Sequence, residues 1–283
     1  MKRMKKISAL IAAALIAAAM TACGDGESVQ ANATAAQTES VSHDFTYTTP
    51  SGKSYSGTYT GGWADGKPNG EGSFEGDSEK GHITLAGNWS GGQPHGQCRQ
   101  TLKNDKNIRT WNVDFFYGVI QGNGDWKAED LNGNLLRKYS GEWKDGNSNG
   151  IGEMTYYHTA EEAAENGVQR RVYKGGFSDG KWNGEAESTV YYTDELAEKI
   201  GADYCVYTGE TKDNAFVEPY RYTFYKDNKA VEQGRVRDGR LISDGEKAVK
   251  DGIYDVIDGL TGDGFWGDVF DAVAPNFYDR NAE

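Results

Sequence analysis

One template recurs along this chain and leaves few folds open to it. A large, usually aromatic residue stands at position zero, a small residue two later, an aromatic four later, and glycines at seven, eleven and thirteen. The first copy is Tyr59, Gly61, Trp63, Gly66, Gly70 and Gly72; the second is Leu85, Gly87, Trp89, Gly92 and Gly96, with Cys98 in the last slot. Trp111, Val113, Phe115, Gly118, Gly122 and Gly124 make the third, and Tyr139, Gly141, Trp143, Gly146, Gly150 and Gly152 the fourth. The fifth runs through Tyr173, Gly175, Phe177, Gly180 and Gly184 to Ala186. Degenerate copies start at Tyr207 and Glu232. A fixed period of this kind means that each unit is one supersecondary element completed by its neighbours.

The spacing is that of a β-hairpin. Side chains alternate along a strand, so positions zero, two and four share a face. Asp65-Gly66, Asp145-Gly146, Asp179-Gly180 and Asp238-Gly239 supply the positive φ angles of a tight turn. On the return strand, the glycines at eleven and thirteen are expected to leave room for the facing rings to lie on backbone. A lone hairpin is marginal in water, so the units are expected to pair side by side. The predicted class is all-β: an elongated antiparallel sheet of tandem hairpins over residues 45–245, with short helical inserts and a C-terminal helical cap.

These residues resemble the MORN (membrane occupation and recognition nexus) repeat, over about Tyr59 to Gly245. The resemblance implies a twisted sheet of hairpins used for scaffolding, dimerisation or protein binding, and lipid binding has been proposed for the family as well. Successive copies start 26, 26, 28, 34, 34 and 25 residues apart, longer than the family's usual period. On this reading Tyr59, Trp63, Trp89, Trp111, Phe115, Tyr139, Trp143, Tyr173 and Phe177 are the repeat aromatics, structural or in contact with a ligand.

The N-terminus reads as a leader. Lys2, Arg3, Lys5 and Lys6 precede a 14-residue apolar run, Ile7 to Met20, broken only by Ser8. A bilayer span needs roughly 18 to 20 such residues, so residues 1–22 are expected to be a signal peptide that is removed. The Met-Thr-Ala-Cys junction ending at Cys23 resembles the lipobox of bacterial lipoproteins. The resemblance implies a diacylglyceryl group on Cys23, palmitate-type acylation, and a protein anchored on the extracytoplasmic side of a cell membrane. Residues 23–44 are Ser-, Thr-, Ala- and Gln-rich and read as a disordered tether.

Charge narrows the partners. The formal charge is −13, and it becomes −17 once the four positive charges of the leader are gone. No basic cluster follows Lys6, which argues against nucleic acid and against a direct grip on anionic headgroups. Cys98 and Cys205 lie four hairpins apart, near 38 Å at about 4.8 Å per strand, so an intramolecular disulfide is not expected. They read as small core residues, or as intermolecular thiols. His43, His82, His95 and His158 fall in separate units without metal-ligand spacing. The glycines keep a repeat phase and do not open a helix, so no phosphate loop is present. No catalytic constellation, cofactor site or metal site is predicted.

Two inserts share a plan. After Tyr156 and Tyr157 comes a helix predicted from the Thr159/Glu162 capping box, ending at Gly167. After Tyr191 and Tyr192 comes a second, capped by Thr193 and ended by Gly201. They are expected to be neighbours on one sheet edge, either covering the connection or framing a lateral pocket from the four tyrosines. Residues 246–283 carry Ile253, Val256, Ile257, Leu260, Phe265, Trp266, Val269 and Phe270 at helical spacing, with aspartates opposite. This reads as an acidic amphipathic cap on the last hairpin, or a docking tail. Two functions stay open: a protein-binding or self-assembling scaffold, and a glycan binder stacking sugar on exposed rings. Burial of Trp63, Trp89 and Trp143 favours the first.

Overall fold

The computed structural model describes residues 41–79 and 81–245. The leader, Cys23, most of the tether and the C-terminal segment lie outside these residues. The strands in chain order are β1 (Ser42–Thr48), β2 (Ser54–Ala64), β3 (Lys67–Ser78), β4 (Gly81–Ser90), β5 (Gln93–Lys103), β6 (Asn107–Phe116), β7 (Val119–Asp130) and β8 (Leu135–Lys144). They continue as β9 (Asn147–Tyr157), β10 (Val168–Ser178), β11 (Lys181–Tyr192), β12 (Tyr204–Lys212), β13 (Ala215–Phe216), β14 (Tyr220–Lys226), β15 (Lys229–Arg237) and β16 (Arg240–Ser243). Helix α1 (Ala160–Asn166) joins β9 to β10, and α2 (Asp194–Ile200) joins β11 to β12. All sixteen strands form one long open antiparallel sheet in sequence order, with only short β13 off the path, paired to β12. The all-β hairpin architecture expected from the repeat is the one observed.

Turn chemistry explains the register. Each of the four Asp-Gly pairs holds both residues at positive φ, for example Asp65 at 50° and Gly66 at 74°. Tyr117-Gly118, Gly91-Gly92, Asp213-Asn214 and Asp227-Asn228 adopt the same geometry without the Asp-Gly signal. Neighbouring hairpins are then tied at these turns. Gly92 N–H donates to Pro68 O at 2.9 Å, Gly118 to Pro94 O at 2.9 Å, Gly146 to Ile120 O at 3.0 Å and Gly180 to Ser148 O at 2.9 Å. Each turn thus docks on the return strand of the hairpin before it.

The two return-strand glycines do different jobs, which corrects the expectation that both make room for rings. Two of those at position thirteen do: a Cβ on Gly72 would lie 2.1 Å from Tyr59 Oη, and one on Gly152 would lie 2.6 Å from the Tyr139 ring, whereas one on Gly124 would meet Asn112 O and the Val113 side chain. Gly70, at position eleven, has φ +91° and open space where a Cβ would be, the nearest atom being Gly62 Cα at 4.0 Å. It sits where the β2/β3 register slips between Gly61 and Trp63. The same slip recurs after Gly87, Val113, Gly141 and Gly175. Position eleven therefore serves a β-bulge, where a left-handed backbone favours glycine.

Packing on the aromatic face divides into two clusters. One runs from Tyr47 and Tyr55 through Trp89, Trp111 and Trp126 to Trp182; the other gathers Val168, Leu196, Ile200, Tyr207, Tyr222, Phe224 and Val236. The first strand begins at Ser42, so residues 42–44, read as the end of the tether, belong to the sheet. The cause is packing: the His43 ring stacks on Trp63 at 3.9 Å, and Phe45 makes edge contacts with Tyr59, Phe74 and Trp89.

Both helices form where the caps place them. Thr159 and Glu162 make the reciprocal capping box, and Gly167 closes α1 at φ 74°. Thr193 caps α2 and Gly201 ends it at φ 78°. They are neighbours, since Thr193 N–H donates to Gly167 O at 2.8 Å. Only α2 inserts side chains into the core, namely Leu196, Ala197 and Ile200.

Candidate binding surface

The repeat aromatics are committed to the sheet. Tyr59, Trp89, Trp111, Phe115, Tyr139, Trp143, Tyr173 and Phe177 are all buried, Trp89 at 2% and Trp143 at 3% exposure. Trp63 is half-buried against His43. Three of their polar tips turn to backbone: Tyr139 Oη donates to Glu142 O at 2.8 Å, Tyr173 Oη to Gly176 O at 2.8 Å, and Trp143 Nε1 to Gly124 O at 3.1 Å. Burial, with Glu142 nearby, pushes the Tyr139 phenol well above the usual range. None of these rings offers a flat open platform.

The four tyrosines beside the helices do not line one pocket, contrary to the lateral-pocket reading. Tyr156 and Tyr157 are consecutive on a strand, as are Tyr191 and Tyr192, so each pair splits across the sheet. Tyr156 and Tyr192 are buried on the aromatic face. Burial raises the Tyr156 phenol to about 12. In register beside Tyr156 lie Arg137 and Arg171, and beyond Arg137 come Ala128 and Arg109. Burial pulls the Arg171 guanidinium down to about 10, against the stabilising phenols of Tyr207, Tyr156, Tyr192 and Tyr220. These arginines stand two residues before position zero in three successive copies. That spacing is legible in the sequence, but the eye follows the aromatics and passes over it.

Tyr157 and Tyr191 face the other way and join a ladder. Tyr157 pairs with Arg170, Arg170 with Tyr191, Tyr191 with Tyr204, and Tyr204 with Tyr225. The Arg170 guanidinium sits 4.0 Å from the Tyr191 ring centroid. Tyr204 and Tyr225 stack at 4.9 Å with planes 11° apart. All five side chains are half-buried. Tyr204 and Tyr225 were missed because they fall outside the six template positions.

A second exposed aromatic group lies at the turn of the third hairpin. Phe116 is 61% and Tyr117 54% exposed. The His95 ring approaches both, with centroids 5.5 and 4.6 Å away. Cys98 and Cys205 are free and buried, one in each core cluster and seven strands apart in sheet order. Burial raises both thiols, Cys205 to about 12. Among the described residues no group of three His, Cys, Asp or Glu side chains is placed to hold a metal ion.

The model of the MORN repeat matches residues 59–78, 86–105, 139–157 and 173–188. The Trp111 hairpin falls between these segments, yet it carries the same bulge and turn. No curated protein matches the chain. The family match finds four MORN repeats in this chain, and repeat spacing and hairpin register agree with it over those segments.

Proposed function

We propose that this chain is a lipid-anchored, extracytoplasmic scaffold that binds protein partners or its own copies and catalyses no reaction. One observation carries the reading: the repeat rings are consumed in packing within the sheet, those of Tyr59 and Tyr139 directly on glycine backbone, so what the molecule presents is strand edges, the outer ladder and turn tips. Repeat sheets of this kind suit recognition over an extended surface. The glycan alternative needs open, coplanar rings, and Trp89 and Trp143 are buried. Anchoring rests on the Met-Thr-Ala-Cys junction after a short apolar leader.

Growth with an alkyne-bearing fatty acid tests the anchor. The intact chain is expected to take up label and sediment with membranes, and Cys23→Ser to lose both. Equal labelling of the two would refute lipid attachment at Cys23. For the scaffold role, chemical cross-linking in intact cells is expected to join outer-face residues to a protein or to a second copy. Cross-links confined within one chain would count against it.

A further inference from the structure

Six tight turns stand in a row at one end of the sheet, closing on residues 65–66, 91–92, 117–118, 145–146, 179–180 and 213–214. All six share one backbone shape, so each controls for the others. The first turn residue is Asp65, Gly91, Tyr117, Asp145, Asp179 or Asp213, at φ between 46° and 58°. Aspartate and glycine tolerate that left-handed region, and a tyrosine there is strained. The residue before it is Ala64, Ser90, Phe116, Lys144, Ser178 or Lys212. The fold therefore asks for neither aromatic at the third turn, and both project into solvent.

We infer that Phe116, Tyr117 and His95 form an anchor that inserts into an apolar recess on a partner protein, a recess bordered by Lys or Arg side chains. Ring geometry favours a recess over a sugar. The three planes are inclined to one another by 46°, 52° and 80°, which makes a wedge and leaves no shared flat face. Protruding aromatics enclosed by a partner's pocket are the usual energetic centre of a protein interface. The border is acidic. Asp114 and Asp145 flank the wedge, each oriented by an amide: Gln97 Nε2 donates to Asp114 at 2.7 Å, and Gln121 Nε2 to Asp145 at 2.9 Å. Lys144 adds one cation on the next turn, and the whole chain stands at −13. An anionic bilayer is repelled by such a rim, whereas a cationic protein rim is attracted.

This deepens the scaffold reading and rests on it. The test uses the folded chain, a double variant F116S/Y117D that copies the fifth turn, and a random-peptide display library as the probe. Peptides selected on the parent chain are expected to pair a large apolar residue with Lys or Arg. Their affinity should fall at least about tenfold on the variant and weaken with salt. The variant's melting temperature should equal or exceed the parent's, because it relieves the Tyr117 backbone. Peptides binding parent and variant equally would overturn the tip while sparing the scaffold. A library yielding no binder would overturn both. Chitin or β-glucan oligosaccharides, or phosphatidylcholine vesicles, bound by the parent and lost in the variant would replace the protein partner with that ligand.

Discussion

A glycine is needed either for what its backbone does or for what lies on top of it, and both kinds stand two residues apart on the return strands β3 and β9. At Gly72 the Tyr59 hydroxyl occupies the place of a side chain; at Gly70 the place is empty and only the backbone is unusual. Gly72→Ala must displace a buried ring and is expected to cost about 3 kcal/mol, as overpacked cores do. Gly70→Ala bears only left-handed strain, about 1 kcal/mol. Chemical denaturation of the two variants separates the cases, and equal losses would refute the division of labour. The spacing of these glycines was legible in the sequence. Their roles were not, because a bulge is a relation between two strands, and Gly70 looks like Gly72 until the slip opposite Gly62 is seen.

Elements were legible where a local rule sufficed. The caps of α1 and α2 lie within a few residues of the helices they start and end, so Thr159, Glu162, Gly167, Thr193 and Gly201 announced both helices. The tyrosine pairs are not contiguous in space, because strand alternation sends Tyr156 inward and Tyr157 outward. Between β9 and α1, His158 Nδ1 meets the Asn166 amide at 2.9 Å. Burial pulls the imidazole below its ordinary value; Arg171 adds to this, while Glu162 and the Asn166 contact oppose it. The folded chain thus holds fewer protons than the unfolded one between the depressed value and about 6.5. Stability is complete above that window and is lost as the pH falls through it. Hydrogen exchange at the Val168 and Thr193 amides is expected to accelerate from pH 7.5 to pH 5 relative to amides of β4 and β5. His158→Asn should abolish that difference, and a parent chain with uniform exchange at both pH values would contradict the assignment.

At the scale of the whole molecule, sequence order and sheet order coincide along the main path. This follows from hairpins whose turns dock on the strand just before them. Strand pairing stays between neighbours on that path, and the aromatic face fills from one repeat to the next. Period, class and strand order were therefore readable from the chain alone. The outer ladder and the aromatics of the third turn were not, because neither belongs to the template: Tyr204 and Tyr225 sit outside its six positions, and Tyr117-Gly118, preceded by Phe116, replaces the commoner Asp-Gly turn. What distinguishes this chain from a generic repeat sheet lies in these departures, and the proposed contact is placed on one of them. The claim beneath all of this is that tyrosine rings rest on glycine backbone in the first and fourth hairpins of the repeat. Proton NMR of the folded chain reads it directly. The account predicts ring-current-shifted α-protons at Gly72 and Gly152, each with cross-relaxation to the ring of Tyr59 or Tyr139. Unshifted glycine signals with no contact to those rings would contradict it.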